Sequence, residues 1–578
     1  MGSLLRLADG ARRYLAKLRF LLPWVRRFAG ADPGRWAVAL AIALPALYWV
    51  VLSTRVASYL GMGRDQGTFH YSGWVIGHGD RLFSDARDLN GPIATYIHWL
   101  FLTLGGADDH IFRSLELGTT GLVFALVGFL LPGLVLRLGA SSASVKPSLL
   151  VRLCWGLAFW TLLSAPYQIN GYWTQAQRDG YALWFVLPGY LVQVIGHLLA
   201  AERRRERLAH WLLVLSGFLV ATSCLAKPTM LLFLFPQMLA VLVDNELDGQ
   251  RKKLLGRLCL GMVAAGFFHL LLLSLVGSPI EFIRINLFET PRYYPYIWSK
   301  GRNELLKTEP VRWSLVVSAA TLMMVVMGQL PRRLLAVALG ALVGVVSLLI
   351  QDKGFEYHYQ PIAAFMWIQG GLLALWLSET YLPDKRLRAI PLAGVLVLAF
   401  LNNDLAMKSP QLAHLDFSTR FATPESRKTD DYLSNFDFGS FKSVDLHHAA
   451  AYLKEHTKPT DRILHWGIDP YVLFLAERKA ATRYVITGWE LNMTAALAGA
   501  GTPERTKIIT DHQAKHAKEF ARQLVAAPPA ALVIIDGLYW GPDGWIDLQK
   551  WCPDAGKFLS ERYTETIRFG SARLFFPK

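Results

Sequence analysis

Asp65 is the residue of this chain whose type and surroundings best suit general-base chemistry. It directly follows the first long apolar run and begins the stretch RDQGTFHYSGWVIGHGDRLFSDARDLNGPIATYIHWLFLTL. A carboxylate held partly out of water beside aromatic groups such as Phe69 and Tyr71 can remove a proton from a substrate hydroxyl. A helix cap or a solvated loop charge is the alternative for an acid beside a membrane. We expect this stretch to form a loop against the bilayer, with Asp65 as the catalytic base.

Arg178 and Asp179 form a second polar cluster, in QAQRDGY just before another apolar run. The structural interpretation is an ion pair at the end of a span. In the functional interpretation Asp179 assists catalysis by orienting the acceptor or a basic residue. Arg178 would then contact an anionic donor, because a guanidinium binds phosphate strongly and with defined geometry.

Two lysines lie where a lipid phosphate would be found. Lys227 stands in a two-residue turn between apolar runs, so it stays near the membrane plane, either snorkelling or binding a phosphate at headgroup level. Lys353 begins the string KGFEYHYQP, which also contains Tyr357 and His358. Aromatic belts explain a tyrosine there, but not a lysine and a histidine beside it. We therefore predict that Lys353, Tyr357 and His358 contact substrate.

The long segment SPIEFIRINLFETPRYYPYIWSKGRNELLKTEP adds Arg284, Arg292, Tyr293 and Tyr294, which we predict to close over a ligand. Solvated loop charges are the alternative there. Metal ligation has little support, since the 15 histidines form no HExxH motif and no His/Cys cluster of ligand spacing. We predict no metal ligands and no cofactor, and the sequence leaves a divalent metal open.

Long apolar helices must position these residues. The chain has 578 residues, 53% of them hydrophobic and 19 of them Trp, with a mean hydropathy of +0.28, which is typical of a polytopic membrane protein. Its net charge of +16 comes mostly from basic residues that flank apolar segments. Such residues determine topology, so we predict no nucleic-acid partner. The four cysteines show no disulfide framework.

Three regions follow from this pattern. Residues 1–35 are basic, interrupted by Gly and Pro, and indicate a cytoplasmic amphipathic segment. Residues 36–403 indicate a transmembrane domain of about eleven spans with the N-terminus inside. This parity places several polar groups on the side away from the cytoplasm: Asp65, Asp179, Lys227, Lys353 and the tail.

Residues 404–578 have the composition of a soluble domain. Helical spacing in DLHHAAAYLKEHT, PYVLFLAER and ERTKIITDHQAKHAKEFARQLV alternates with the strand-like RILHWG, TRYVIT, ALVIIDG, YTETIRFG and ARLFFP. This alternation predicts a small α/β domain with a mostly parallel sheet. It carries no glycine fingerprint for a nucleotide, so we assign it no catalytic role.

One base and several cations at the outer rim of a membrane indicate a transfer reaction. ATP and nucleotide-sugars are not available outside the cytoplasm, so the activated donor must arrive in the membrane. A polyprenyl-phosphate-linked sugar has this property. The base would deprotonate an acceptor hydroxyl while the cations stabilise the departing phosphate, and a single in-line displacement would invert the sugar carbon.

The pattern resembles the membrane-embedded GT-C glycosyltransferases, specifically bacterial relatives of the protein O-mannosyltransferases and of the aminoarabinose lipid A transferases. Asp65 in the first outer loop and four short motifs carry the resemblance: NGPIATYIHWL, QRDGY, LAKPTMLLFLFP and KGFEYHYQP. It implies a multi-pass protein of the bacterial inner membrane with a periplasmic active site and periplasmic α/β domain. It also implies a polyprenyl-phosphate sugar donor, Asp65 as base, Asp179 assisting, and Lys227 and Lys353 near the donor phosphate. The acceptor would be a glycan, a lipid or a protein.

The first outer loop of this family often carries Asp-Glu, whereas this chain has Gln66 after Asp65. Three other functions remain as alternatives. A transporter or flippase for lipid-linked saccharides would need ionisable residues within its spans and weak internal repeats, and neither stands out in the sequence. A polysaccharide polymerase or ligase shares the donor and the topology but usually lacks a large terminal domain. A non-catalytic scaffold would use the tail to bind partners.

Overall fold

The computed structural model describes residues 33–135, 149–168, 171–203, 205–382, 423–538 and 541–578, together with residues 393, 394 and 397. The predicted N-terminal segment lies almost wholly outside the described residues. The eleventh predicted span and the predicted domain boundary near residue 404 also fall outside them, apart from those three single positions.

The membrane part is entirely helical in the described ranges. Its helices are α1 (Pro33–Ser58), α2 (Arg64–Gly77), α3 (Pro92–Gly105), α4 (Asp109–Val135), α5 (Leu149–Gln168), α6 (Arg178–Ala201), α7 (Glu206–Ser223), α8 (Leu234–Val243), α9 (Arg251–Val276), α10 (Pro279–Ile283), α11 (Arg302–Leu306), α12 (Glu309–Val326), α13 (Leu335–Gln351) and α14 (Gln360–Tyr381). Short turns of tighter or wider helix join several of them, including Pro228–Phe233 before α8 and Tyr294–Tyr296 before α11.

Within the described ranges, six helices are long and apolar enough to cross a membrane, and two shorter apolar helices accompany them. The six are Asp109–Leu134, Arg178–Ala201, Arg251–Val276, Glu309–Val326, Arg332–Gln351 and Glu356–Ser378. The chain is therefore a polytopic helical membrane protein, and the count of about eleven spans stays a prediction.

The stretch after Asp65 is not a loop, as the sequence suggested, but two packed helices, α2 and α3. A proline at the first position of α3, after an extended Gly91, starts the second helix. The two helices touch at Gly73, where a Cβ atom would lie 2.7 Å from the backbone nitrogen of Trp99. Phe69 and Tyr71 are both 1% exposed. Phe69 packs edge-on against His98 of α3 and also lines a cavity, whereas the Tyr71 hydroxyl bonds to the C-terminal part.

The C-terminal part has helices α15 (Asp430–Ser434), α16 (Ser443–His456), α17 (Tyr471–Ala476), α18 (Thr487–Glu490), α19 (Thr494–Ala498), α20 (Pro503–Ala526), α21 (Gly544–Trp551) and α22 (Pro553–Arg562). Its strands are β1 (Arg462–Trp466), β2 (Lys479–Ala480), β3 (Ala531–Ile535), β4 (Tyr563–Phe569) and β5 (Ala572–Pro577). They form one sheet in the order β2-β1-β3-β5-β4.

This sheet is mixed, whereas the sequence predicted a mostly parallel one. β1 pairs in parallel with β2 and β3, but β5 runs antiparallel to both β3 and β4. The two-residue connection between β4 and β5 explains the difference, because only antiparallel neighbours can be joined by so tight a turn. The predicted strand TRYVIT is also absent from the described sheet. Its backbone bonds to the membrane part instead, with Arg87 N donating to Arg483 O at 2.8 Å.

The C-terminal part is docked on α2 and on the start of α4. Ala480 N donates to the hydroxyl of Tyr71 at 2.7 Å, and the Tyr471 hydroxyl donates to Asp109 Oδ2 at 2.6 Å. The interface buries charge as well, since the Arg87 guanidinium pairs with Glu490. The sheet domain therefore lies directly over the helix that carries Asp65.

Candidate active site

A cavity of about 330 Å³ lies where α2, α6, the 290–298 segment, the turn before α14 and the C-terminal part meet. Both charge signs occur on its wall, and aromatic side chains surround them. The charged and phenolic groups that line it from the membrane part include Asp65, Arg178, Tyr294, Lys353, Glu356 and Tyr357.

Asp65 lies in the first turn of α2, where the helix dipole favours a negative charge. Its Oδ2 accepts a hydrogen bond from Gln177 Nε2 at 3.1 Å, and the side chain is half-buried at the cavity wall. The adjacent Gln66 is fully buried. Its amide donates to the carbonyls of Tyr172 and Trp173 at 3.2 and 3.1 Å. Gln66 therefore ties α2 to the segment before α6, while Asp65 faces the cavity.

Arg178 faces Asp65 from the start of α6 and also lines the cavity. Its electrostatic neighbours are Asp65, Asp179, Tyr294 and Tyr357. The Arg178 Nε atom is buried and has no hydrogen-bond partner among the described residues. A buried donor without a partner is costly, and because the Arg178 side chain also lines the cavity, its guanidinium is placed to meet an anionic group there.

Lys227 and Asp179 form a buried ion pair behind Arg178. Lys227 Nζ lies 2.5 Å from Asp179 Oδ2 and donates to Gln351 Oε1 at 2.8 Å. Burial lowers the pKa of the Lys227 ammonium to about 8, although the Asp179 carboxylate favours its charged form. Of the two predicted roles of Asp179, this geometry supports the orientation of a basic residue. The same ammonium lies 5.2 Å from the ring centroid of Tyr357.

Lys353 lines the cavity, but its ammonium is committed to the protein. It donates to the carbonyls of Tyr294 and Pro295 at 2.9 and 3.1 Å and also to that of Ile297. An ammonium has three protons, so this set uses all of them. Burial lowers the pKa of Lys353 to about 8. Lys353 therefore anchors the 290–298 segment over the cavity.

Tyr357 and His358 occupy one short helical turn before α14, and only Tyr357 is among the described cavity-lining residues. The His358 ring packs edge-on behind Tyr357, with 4.6 Å between their centroids. Its electrostatic neighbours include Lys227 and Lys353. His358 thus supports the Tyr357 ring from behind.

Arg292 and Tyr293 lie away from the cavity. Neither Arg292 nor Tyr293 is among the described residues that line it. Arg292 is exposed. The Tyr293 ring is buried toward the C-terminal part, 4.9 Å from the ring of His512. The next residue, Tyr294, begins a separate helical turn and supplies the phenol that faces Arg178.

The sequence did not point to Asp88, which is buried beside Asp65 and Arg178. Asn90 donates to its Oδ1 through both the backbone N and Nδ2, at 2.9 and 2.7 Å. Burial raises the pKa of Asp88 to about 6. The acidic turn DARDLN was the available signal, but nothing in it distinguishes Asp88 from its acidic neighbour Asp85.

The C-terminal part also contributes to the cavity, although the sequence suggested no role for it there. Phe438, Ile468 and Ile486 line one side. The Phe438 ring lies 4.7 Å from that of Trp173, which belongs to the membrane part. These residues lie hundreds of positions from Asp65, so no local pattern could have placed them.

Two observations on the described residues concern metal binding and thiol chemistry. The described residues contain no group of three or more His, Cys, Asp or Glu side chains that could hold a metal ion. All four cysteines are free thiols.

The arrangement of helices and sheet is similar to that of a known membrane protein. The chain is similar to ArnT from Cupriavidus metallidurans bound to undecaprenyl phosphate, with a TM-score of 0.50 and 14% identity, over 94% of this chain and 98% of ArnT. This likeness shows the GT-C fold. Apo ArnT from the same organism gives 0.49 and 14% over 93% and 97% of the two chains. The oligosaccharyltransferase AglB from Archaeoglobus fulgidus gives 0.46 and 11% over 91% and 72%. No family model matches the chain, and no curated relative does either.

Proposed function

We propose that the protein is an inverting glycosyltransferase that moves a sugar from a polyprenyl-phosphate donor to an acceptor hydroxyl on a glycan, lipid or protein. One observation carries the proposal: Asp65 faces the unpartnered guanidinium donor of Arg178 across a single cavity. The fold around this cavity is similar to that of ArnT, whose structure was determined with bound undecaprenyl phosphate. We place the reaction on the periplasmic side of the bacterial inner membrane, where nucleotide-activated donors are absent.

In the proposed reaction Asp65 removes the proton of the acceptor hydroxyl. The acceptor oxygen bonds to the anomeric carbon as the bond between that carbon and the phosphate oxygen breaks. The departing phosphate gains negative charge, which Arg178 stabilises through its free Nε donor. Gln177 holds the Asp65 carboxylate in place at 3.1 Å. One displacement and one base give inversion.

Lys227 supplies a second positive charge behind the cavity wall, since it is not among the described residues that line the cavity. Its partner Asp179 fixes its position and offsets much of its charge, so its contribution at the phosphate is smaller than that of Arg178. The lipid chain of the donor would lie along the apolar helices that surround the cavity. Membrane lipids are therefore partners of the protein as well as its solvent.

A flippase for lipid-linked saccharides is the second candidate, and one observation favours it. Several ionisable side chains are buried within the described spans, among them Glu116 and His197, although none stood out in the sequence. Both are engaged: Glu116 accepts from Thr120 at 3.3 Å, and His197 contacts Asp244 at 3.0 Å. A polymerase or ligase would use the same donor and the same base.

The test is to incubate the purified protein with a panel of polyprenyl-phosphate sugars and analyse the extracted products by mass spectrometry. The wild type and the matched variant Asp85→Asn, which loses an exposed acid of the same stretch, should form one sugar-transfer product. Asp65→Asn should form none while keeping its thermal stability. Near-wild-type product from Asp65→Asn would refute the assignment. Unchanged lipid-saccharide transport by Asp65→Asn, with no transfer product from any variant, would favour the flippase.

A further inference from the structure

Arg64, the residue before Asp65, is bound by the C-terminal part. Its Nε donates to Asp469 Oδ1 at 2.5 Å, and its Nη2 donates to Asp469 Oδ2 at 3.0 Å. The two side chains are 6% and 1% exposed. Because both bonds of the pair run in parallel, it fixes the direction of the guanidinium as well as its distance. The contact spans 405 positions of sequence.

The first turn of α2 depends on contacts from outside the helix. Its N-cap position is Gly63, which provides no side-chain cap. Arg64 Nη2 also donates to Ser440 Oγ at 3.1 Å. One turn further, the backbone of Gly67 lies against Tyr471, so that a Cβ atom there would be 2.6 Å from the Tyr471 Cβ. The C-terminal part therefore holds this turn at two points.

The same part of the chain closes the cavity. Ile468, whose side chain lines the cavity, directly precedes Asp469. One short segment therefore forms a wall of the cavity and fixes the residue next to the base. A mere tether between the two parts would need neither feature.

We propose that Asp469 is a positioning residue for Asp65, and that the C-terminal domain is thereby a component of the active site. This inference rests on the proposed function, in which Asp65 is the base. A base must lie within hydrogen-bond reach of the proton that it removes, and a displacement of about 1 Å can cost about 10²-fold in rate. Loss of the Arg64–Asp469 pair should therefore lower kcat while leaving the proposed phosphate contacts of Arg178 and Lys227 intact.

A second ion pair provides a matched control. Arg427 donates to both oxygens of Asp108, at 2.9 and 3.0 Å. It joins the same two parts of the chain and is also bidentate, through Nη1 and Nη2, although its side chains are more exposed, at 15% and 37%. Neither residue is among the described residues that line the cavity. Asp108 also accepts from His110 N at 2.8 Å, a bond that an asparagine can keep. Asp108→Asn therefore removes a tether and little else.

The experiment compares the full-length wild type with Asp469→Asn, Arg64→Lys and Asp108→Asn. With saturating acceptor, Asp469→Asn should lower kcat about 10²-fold and change the donor KM less than about twofold. Arg64→Lys keeps the charge but cannot form the two parallel hydrogen bonds of the guanidinium, so we expect kcat to fall about tenfold. Asp108→Asn should keep kcat within about twofold. Wild-type kcat in Asp469→Asn or Arg64→Lys, or an equal loss in Asp108→Asn, would overturn the inference.

Amide hydrogen exchange of the segment 64–71 provides a readout that does not depend on activity. Exchange there should be faster in Asp469→Asn and Arg64→Lys than in the wild type and Asp108→Asn, with exchange at the start of α6 unchanged. If Asp469→Asn does not fold, Arg64→Lys decides. If no form of the protein transfers sugar, the proposed function fails, and the exchange measurement still decides whether Asp469 positions this turn. Equal exchange in all four proteins would contradict the inference.

Discussion

Arg178, which is half-buried, and Lys353, which is buried, are cations on the wall of one cavity, and they differ in their hydrogen bonding. The Lys353 ammonium donates all three of its protons to backbone carbonyls of the 290–298 segment. The Arg178 guanidinium has a buried Nε with no partner among the described residues. A cation whose donors are satisfied by the protein stabilises a fold, whereas a cation with a free buried donor can bind a ligand. Under the proposed function, Arg178 binds the donor phosphate and Lys353 fixes the 290–298 segment.

The largest expected effect comes from Arg178→Met, which keeps the apolar stem and removes the charge. If Arg178 stabilises the departing phosphate, kcat should fall about 10²- to 10³-fold. Quenched-flow measurement of sugar transfer at saturating donor checks this, with Arg178→Lys as a partial replacement. A loss of less than about threefold would contradict this role of Arg178, because Arg178 would then contribute no more to kcat than Lys353.

Lys353→Met should act on binding and stability more than on the chemical step. It leaves three carbonyls, of which that of Ile297 is buried, without their donor, which should lower the free energy of unfolding by about 1–3 kcal/mol. The displaced segment should raise the donor KM with a smaller change in kcat. Thermal unfolding and steady-state kinetics on one preparation separate the two effects. An unchanged donor KM would remove Lys353 from the site.

The pH profiles of arginine variants distinguish the two lysines. Burial lowers the pKa of both Lys227 and Lys353 to about 8, so both lysines titrate in the same range. Each loses its positive charge as the pH rises through that value, so kcat/KM should fall as the pH rises above about 8. Lys227→Arg should remove this alkaline fall, because a guanidinium stays charged. If Lys353→Arg removes it and Lys227→Arg does not, the charge that matters is that of Lys353.

The smallest effect is expected for Arg292→Ala. Arg292 is exposed and is not among the described residues that line the cavity, so kcat and the donor KM should each change less than about twofold. The same kinetic assay serves. A tenfold loss would mean that the 290–298 segment closes further over the donor than this structure shows.

Much of this arrangement follows from local sequence. Span ends on one side of a membrane meet at one rim, so Asp65, Arg178 and Lys353 could be expected to lie near one another from topology alone. Helical spacing also predicts α16 and α20, and the apolar runs predict β1 and β3. These features depend on residues that are close together in the chain.

The features that the sequence missed depend on tertiary contacts. The β-branched and aromatic residues of TRYVIT favour a strand, but their backbone bonds to the 81–88 segment instead. Tyr293 and Tyr294 are adjacent and chemically identical, and only the turn that begins at Tyr294 decides which one faces Arg178. The apolar wall from the C-terminal part has no signature at all, because Ile468 resembles any buried isoleucine.

Single-turnover transfer by Asp65→Asn, measured together with donor binding on the same preparation, tests the central claim most directly. The account predicts a donor dissociation constant within about twofold of wild type, since the phosphate contacts remain, and no transferred sugar over many wild-type turnover times. Transfer at a rate close to that of the wild type would contradict the assignment of Asp65 as the base.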